Sequence, residues 1–165
     1  MSDIVFDIIW RVNMLFQRES TVNSFFRPLC ITTGLVLIMI KMADAGSINI
    51  NNQELSALLK QGVTIVDIRT EPEWRQTGVI AGSHLLTLFD EKRQVVDPQG
   101  WLGKVKALVP LDKPVILICR VGNRTVPATQ FLVKSGYAKV YNVTGGIVPW
   151  IKAGMPVTKV GETVR

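Results

Sequence analysis

From residue 46 onward, short apolar runs rich in β-branched residues alternate with stretches whose apolar positions recur every three or four residues, a pattern of parallel strands joined by helices. Ser47 to Ile50 predicts a first strand. Asn51 or Asn52 then caps a helix with Leu55, Leu58 and Leu59 along one side, and Gly62 ends it. Thr64 to Ile68 is expected as the second strand, Glu71 to Gln76 as a short helix with an acidic head, and Ser83 to Leu86 as a weaker third strand. Pro98 opens a helix to Leu108 whose apolar side carries Trp101, Leu102, Val105 and Leu108. Val115 to Ile118, uninterrupted aliphatic sequence after Pro114, has the form of a central strand buried on both faces. A helix from Arg124 to Ser135 gathers Ala128, Phe131 and Leu132, accepts Pro127 in its first turn and stops at Gly136. Val140 to Val143 is the last strand, after which Gly145-Gly146 turns the chain into a short helix through Trp150. The expected class is α/β, a mainly parallel five-stranded sheet flanked by helices on both faces.

Residues 1–45 follow a different pattern. Arg27-Pro28 precedes the charge-free run Leu29 to Ile40, and Lys41 and Ala43-Asp44-Ala45 follow it. A positive flank, a short apolar core and a small-x-small site describe a secretory signal cleaved before Gly46. The run falls short of the roughly 20 residues that a bilayer span needs. The expected organisation is therefore a leader over 1–45 and one domain over 46–165, exported and periplasmic. Met14 offers an alternative start, and Ile4 to Phe16 reads alternatively as an interfacial helix that would keep the domain anchored at a membrane.

With 165 residues, 47% hydrophobic and 19% charged, the chain suits one globular domain plus a leader and is too apolar to be disordered. Its 19 basic and 13 acidic residues leave a net charge of +6. That surplus is spread along the chain with no basic run interleaved with aromatics, which argues against a nucleic-acid partner and for small anions. Of the two cysteines, Cys30 lies in the leader, so the domain carries a single thiol, Cys119, and has no internal disulfide.

A lone cysteine is ordinarily a small buried hydrophobe. The segment Cys119-Arg120-Val121-Gly122-Asn123-Arg124-Thr125 argues otherwise, because it joins a buried strand to the start of a helix. Ligands of open α/β sheets bind off the carboxyl ends of the strands. Consecutive loop N–H groups ahead of a helix N-terminus form an anion-binding nest, and the same field, with Arg120 and Arg124, favours a thiolate.

These motifs resemble the rhodanese family over nearly all of residues 46–165. Cys119-Arg120-x-Gly122-x-Arg124 is similar to the family's six-residue active-site loop. Val66-Asp67-Ile68-Arg69 with Glu71, Glu73 and Trp74 resembles its early acidic motif, and Gly78-Val79-Ile80-Ala81-Gly82-Ser83 its glycine-spaced turn. Gly136-Tyr137, Val140 to Val143, Gly145-Gly146 and Trp150 resemble its ending. Val79 and Ser83 depart from the histidine and alanine often found there. The resemblance implies a rhodanese-like fold and a sulfurtransferase in which the Cys119 thiolate takes a sulfur from a small anionic donor such as thiosulfate and passes it as a persulfide to cyanide or a thiol, a protein thiol included. Arg120, Val121, Gly122, Asn123, Arg124 and Thr125 would form the substrate cradle, with the two arginines on the donor's sulfonate. It places Asp67 and Arg69 beside the loop: Asp67 as structural support, Arg69 as its ion-pair partner or as a donor-binding residue. No cofactor or metal is implied.

Other chemistries fit less well. Cysteine phosphatases use a related cradle with five residues between cysteine and arginine, whereas four separate Cys119 from Arg124. Thiol–disulfide exchange lacks a second cysteine, and a catalytic metal lacks ligands beyond His84 and Cys119. His84 is expected as a packed or capping residue rather than a base, and Trp74 and Trp150 as packing. The alternative from another class is a non-catalytic binding module of the same fold, or a persulfide carrier serving one protein partner.

Overall fold

The computed structural model describes residues 46–161. Everything read above from residues 1–45 lies outside the described residues. Five strands form one parallel sheet: β1 (Gly46–Ile50), β2 (Thr64–Asp67), β3 (His84–Leu85), β4 (Val115–Ile118) and β5 (Lys139–Val143), in the spatial order β1-β5-β4-β2-β3. The α/β class is as expected.

The helices are α1 (Asn52–Lys60), α2 (Glu71–Thr77), α3 (Pro98–Leu108), α4 (Thr125–Lys134) and α5 (Ile147–Lys152). Their ends follow from local chemistry. The Asn51 side chain accepts from the backbone N–H groups of Gln53 and Glu54 while Glu54 accepts from the Asn51 N–H, a reciprocal cap that settles the choice between Asn51 and Asn52. At the start of α2 the Thr70 N–H and hydroxyl both donate to Glu73 Oε2 at 3.1 Å. Asp97 caps α3 through Gly100 from a left-handed backbone with φ of 39°, a conformation uncommon outside glycine.

Period-two alternation in β4 assigns the two cores. Val115 and Leu117, followed by Cys119, pack with Trp101, Leu102 and Val105 of α3 and Ala128 and Leu132 of α4. Ile116 and Ile118 face the other side with Leu55 of α1 and Ile147 and Trp150 of α5. Both faces of the central strand are dry, which explains its unbroken aliphatic sequence. Tyr137 seals the first core with its ring fully buried and its hydroxyl donating to Val109 O at 2.9 Å.

Two expectations need adjustment. Leu108 is 39% exposed while the next residue, Val109, is buried, because α3 ends there and the chain leaves the helical register. Beyond β3 the chain also forms a small hairpin, bridged at Phe89 and Val95 and closed by Asp90 and Gln94, that periodicity did not announce.

The connectivity has one functional consequence. The chain leaves β2 for β3 on one side and leaves β4 for β5 on the other, so the connections from the carboxyl ends of the paired strands β2 and β4 run in opposite directions. This is the switch point where open α/β sheets hold ligands.

The burial difference within α3 can be measured. Val105→Ala should lower stability in urea by about 2 kcal/mol and Leu108→Ala by less than about 1 kcal/mol; equal losses would contradict this placement of the helix.

Candidate active site

Cys119 is the first residue past β4 and is completely buried. Of the run of loop N–H groups expected around its sulfur, that of Gly122 donates to Sγ at 3.2 Å. Thr125 Oγ1 lies 3.8 Å from Sγ and donates to Gly122 O at 2.8 Å, which ties the start of α4 to the loop.

The loop is held from below by backbone. Ile147 N donates to Cys119 O and Val148 N to Arg120 O, so the first turn of α5 satisfies the loop's carbonyls. Such an approach leaves no room for a side chain. A Cβ at Gly146 would stand 2.3 Å from Cys119 O, and one at Gly122 would stand 2.9 Å from Gly145 N. Gly122, Gly145 and Gly146 all have positive φ, so the Gly145-Gly146 pair is required here both for its turn and for its bareness.

At the end of the neighbouring β2, Asp67 and Arg69 are both fully buried. Asp67 Oδ1 accepts from the Arg69 backbone N–H at 3.1 Å and from Nε at 2.9 Å, and Oδ2 accepts from Nη2 at 2.7 Å. Arg69 also donates from Nη2 to Gly78 O at 2.9 Å and from Nη1 to Thr77 Oγ1 at 2.7 Å. Of the two roles expected for Arg69, the structure supports the ion pair and contradicts donor binding. Its guanidinium has no accessible surface, and its nitrogens are taken up by Asp67 and the end of α2.

Arg124 is also paired. Its Nη2 and Nη1 donate to Glu73 Oε1 and Oε2 at 2.6 and 2.8 Å, a fork-to-fork contact across 51 positions of sequence. The two side chains are only 15% and 16% exposed. Burial opposes ionisation of Glu73, but the Arg124 contacts and the Thr70 N–H and hydroxyl outweigh it and hold its pKa at about 2. For Arg124 the hydrogen bonds to Glu73 raise the pKa beyond its already high value against the cost of burial, and the neighbouring Cys119 acts in the same direction.

Above the loop lies an open cleft of about 580 Å³. Arg120, Val121, Asn123 and Arg124 form one wall, Glu73 and Thr70 another, and the tip of the unforeseen hairpin a third. That tip contributes Asp90, Glu91 and Arg93. Arg120 and Val121 are exposed, and among the described residues Arg120 forms no ion pair. His84 is exposed on β3 and does not line the cleft, while Trp74 and Trp150 are buried packing residues.

The pairing with Arg124 of Glu73, named above only within the acidic motif, and the hairpin residues are the parts of the site that sequence reasoning missed. Glu73 carried a local signal, its spacing from Thr70 at the start of a helix, but nothing along the chain pointed to a partner 51 residues away. The hairpin offered only polar loop sequence.

Comparison with known proteins shows the family and the fold. The model of the rhodanese-like domain matches residues 51–153. A sulfurtransferase of Allochromatium vinosum is 32% identical over 110 residues, covering 66% of this chain and 92% of that one. A thiosulfate sulfurtransferase of Pseudomonas fluorescens is 31% identical over 98 residues, covering 59% and 79%. The crystal structure of a rhodanese-related protein from Thermoplasma volcanium, 31% identical, covers 67% of this chain and 97% of its own with a TM-score of 0.53.

The Glu73 pair has a pH signature. A carboxylate whose pKa falls from 4.5 unfolded to about 2 folded stabilises the protein fully above pH 4.5, and that contribution is lost as pH falls toward 2. Glu73→Gln should therefore cost about 1–3 kcal/mol at pH 7 in urea unfolding. The gap to the parent protein should close between pH 4.5 and 2; a gap independent of pH would contradict the ion pair.

Proposed function

The chain belongs to the rhodanese family, and from that premise we propose that it is a sulfurtransferase whose nucleophile is Cys119. The observation that carries this reading is the position of the thiol: directly past the central strand, at the switch point of the sheet, with the Gly122 N–H donating to its sulfur. Family relatives that are named as sulfurtransferases, one of them for thiosulfate, support the general activity.

In the proposed cycle the Cys119 thiolate attacks the outer sulfur of a donor such as thiosulfate. A new sulfur–sulfur bond forms, the old one breaks, and its electron pair leaves with sulfite. Cyanide or an acceptor thiol then attacks the terminal sulfur of the Cys119 persulfide, takes that sulfur and returns the thiolate. This is covalent double displacement and needs no external oxidant. The Gly122 N–H stabilises negative charge on sulfur in both thiolate and persulfide. Arg120, exposed on the cleft wall and unpaired among the described residues, is the cation best placed to meet an anionic donor, with Val121 and Asn123 shaping the entrance. Arg124 acts chiefly through Glu73 and the loop it anchors, and Asp67 and Arg69 support α2 rather than the donor. We also propose that residues 1–45 are an export signal and that the domain works in the periplasm.

Turnover is the direct test. Protein from residue 46 onward, given thiosulfate and cyanide, should yield thiocyanate and, with thiosulfate alone, a mass gain of about 32 Da for one added sulfur. Cys119→Ser should abolish both. A folded parent protein with neither product would overturn the enzyme reading in favour of a binding module.

Export has its own test in N-terminal sequencing of the protein recovered from cells. A mature start at Gly46 in the periplasmic fraction is expected. Recovery only in membranes with residues 1–45 attached would replace the signal with an anchor.

A further inference from the structure

The cleft is electrically balanced although the chain carries a net charge of +6. Glu73, Asp90 and Glu91 line it against Arg93, Arg120 and Arg124. A site built only to attract a small dianion would leave its arginines free, yet both terminal nitrogens of Arg124, the last residue of the loop motif, are engaged by Glu73 at 2.6 and 2.8 Å. The pair is largely shielded from solvent, so its charges act over short range with little screening. Asp90 is partly committed elsewhere, accepting from the Gln94 N–H at 2.7 Å to close the hairpin. Glu73 is the acid in direct contact with the active-site loop.

We propose that Glu73 is a specificity-determining residue: by neutralising Arg124 it shifts the cleft's preference away from dianionic thiosulfate toward sulfur donors of lower negative charge. The assignment rests on the sulfurtransferase reading above. Its physical content is simple. A fixed carboxylate on the cleft wall repels a donor in proportion to the donor's charge, so a dianion is penalised twice as much as a monoanion at the same place. Both kinds of donor deliver sulfur by the same step. Thiosulfate loses sulfite and methanethiosulfonate loses methanesulfinate, each leaving group departing with the electron pair of the broken sulfur–sulfur bond while Cys119 gains one sulfur.

The experiment compares kcat/KM for thiosulfate and for methanethiosulfonate on the same enzyme preparation, with cyanide as acceptor. Because both donors are measured on one preparation, partial misfolding of a variant cancels in their ratio. Glu73→Gln should raise the thiosulfate-to-methanethiosulfonate ratio about three- to tenfold over the parent protein at low salt, and added salt should reduce that gain. Arg124→Gln, which leaves Glu73 unopposed, should lower the ratio. The double variant, in which a neutral pair replaces an ion pair, should return it to within about twofold of the parent value. A ratio unchanged in Glu73→Gln, with both donors slowed equally, would make Glu73 a structural strut only and overturn the proposal. If neither donor adds sulfur to Cys119 in the parent protein, by mass, the sulfurtransferase reading itself fails.

Discussion

A fully buried arginine dictates the arrangement of this site. Guanidinium cannot lose its proton, so burying Arg69 is tolerable only if its donors are met in one geometry. Asp67 meets them from the same strand end, and Thr77 and Gly78 meet them from the far end of α2. Helix α2 is thereby pinned against the carboxyl end of β2, and Glu73 on that helix is held where its carboxylate forks onto Arg124 of the neighbouring loop. Two ion pairs in series therefore connect the ends of β2 and β4. Removing one partner of the first pair would strand a charge in the core and release the second.

The loop around Cys119 is constrained in a complementary way, by absence of atoms. The backbone of Gly145 and Gly146 packs so closely under it that the α5 N–H groups of Ile147 and Val148 reach the carbonyls of Cys119 and Arg120. With carbonyls directed to α5, the loop's Gly122 N–H is left to face the sulfur. The position of the Cys119 thiol thus depends on a strand buried on both faces, a helix start beneath it and two residues without side chains. Together they hold the Cys119 thiol fully buried beneath the loop whose Arg120, Val121, Asn123 and Arg124 line the cleft.

The two constraints act on different properties of the same centre. Backbone packing sets where sulfur is; the ion-pair series sets the charge that an incoming molecule meets. That separation lets the cleft vary its electrostatics without moving the Cys119 sulfur. It also explains why counting arginines in the motif overstates how cationic the site is: Arg120 stands open, whereas Arg124 is largely neutralised.

Local chemistry alone was enough to determine the succession of strands and helices, the central position of Val115 to Ile118, and the end of the first helix ahead of Gly62. Each depends on periodicity, capping or backbone freedom within a few residues. Leu108 marks the edge of that reach, since whether the final residue of a helix points inward depends on where the chain goes next. Tertiary structure decided the rest: that Arg69 serves the fold and not the donor, that Glu73 claims Arg124, and that a hairpin at Asp90 to Arg93 walls the cleft. Charge pairing across 51 positions has no signature in one sequence, because an exposed glutamate and a buried one look alike until the strands between them are placed.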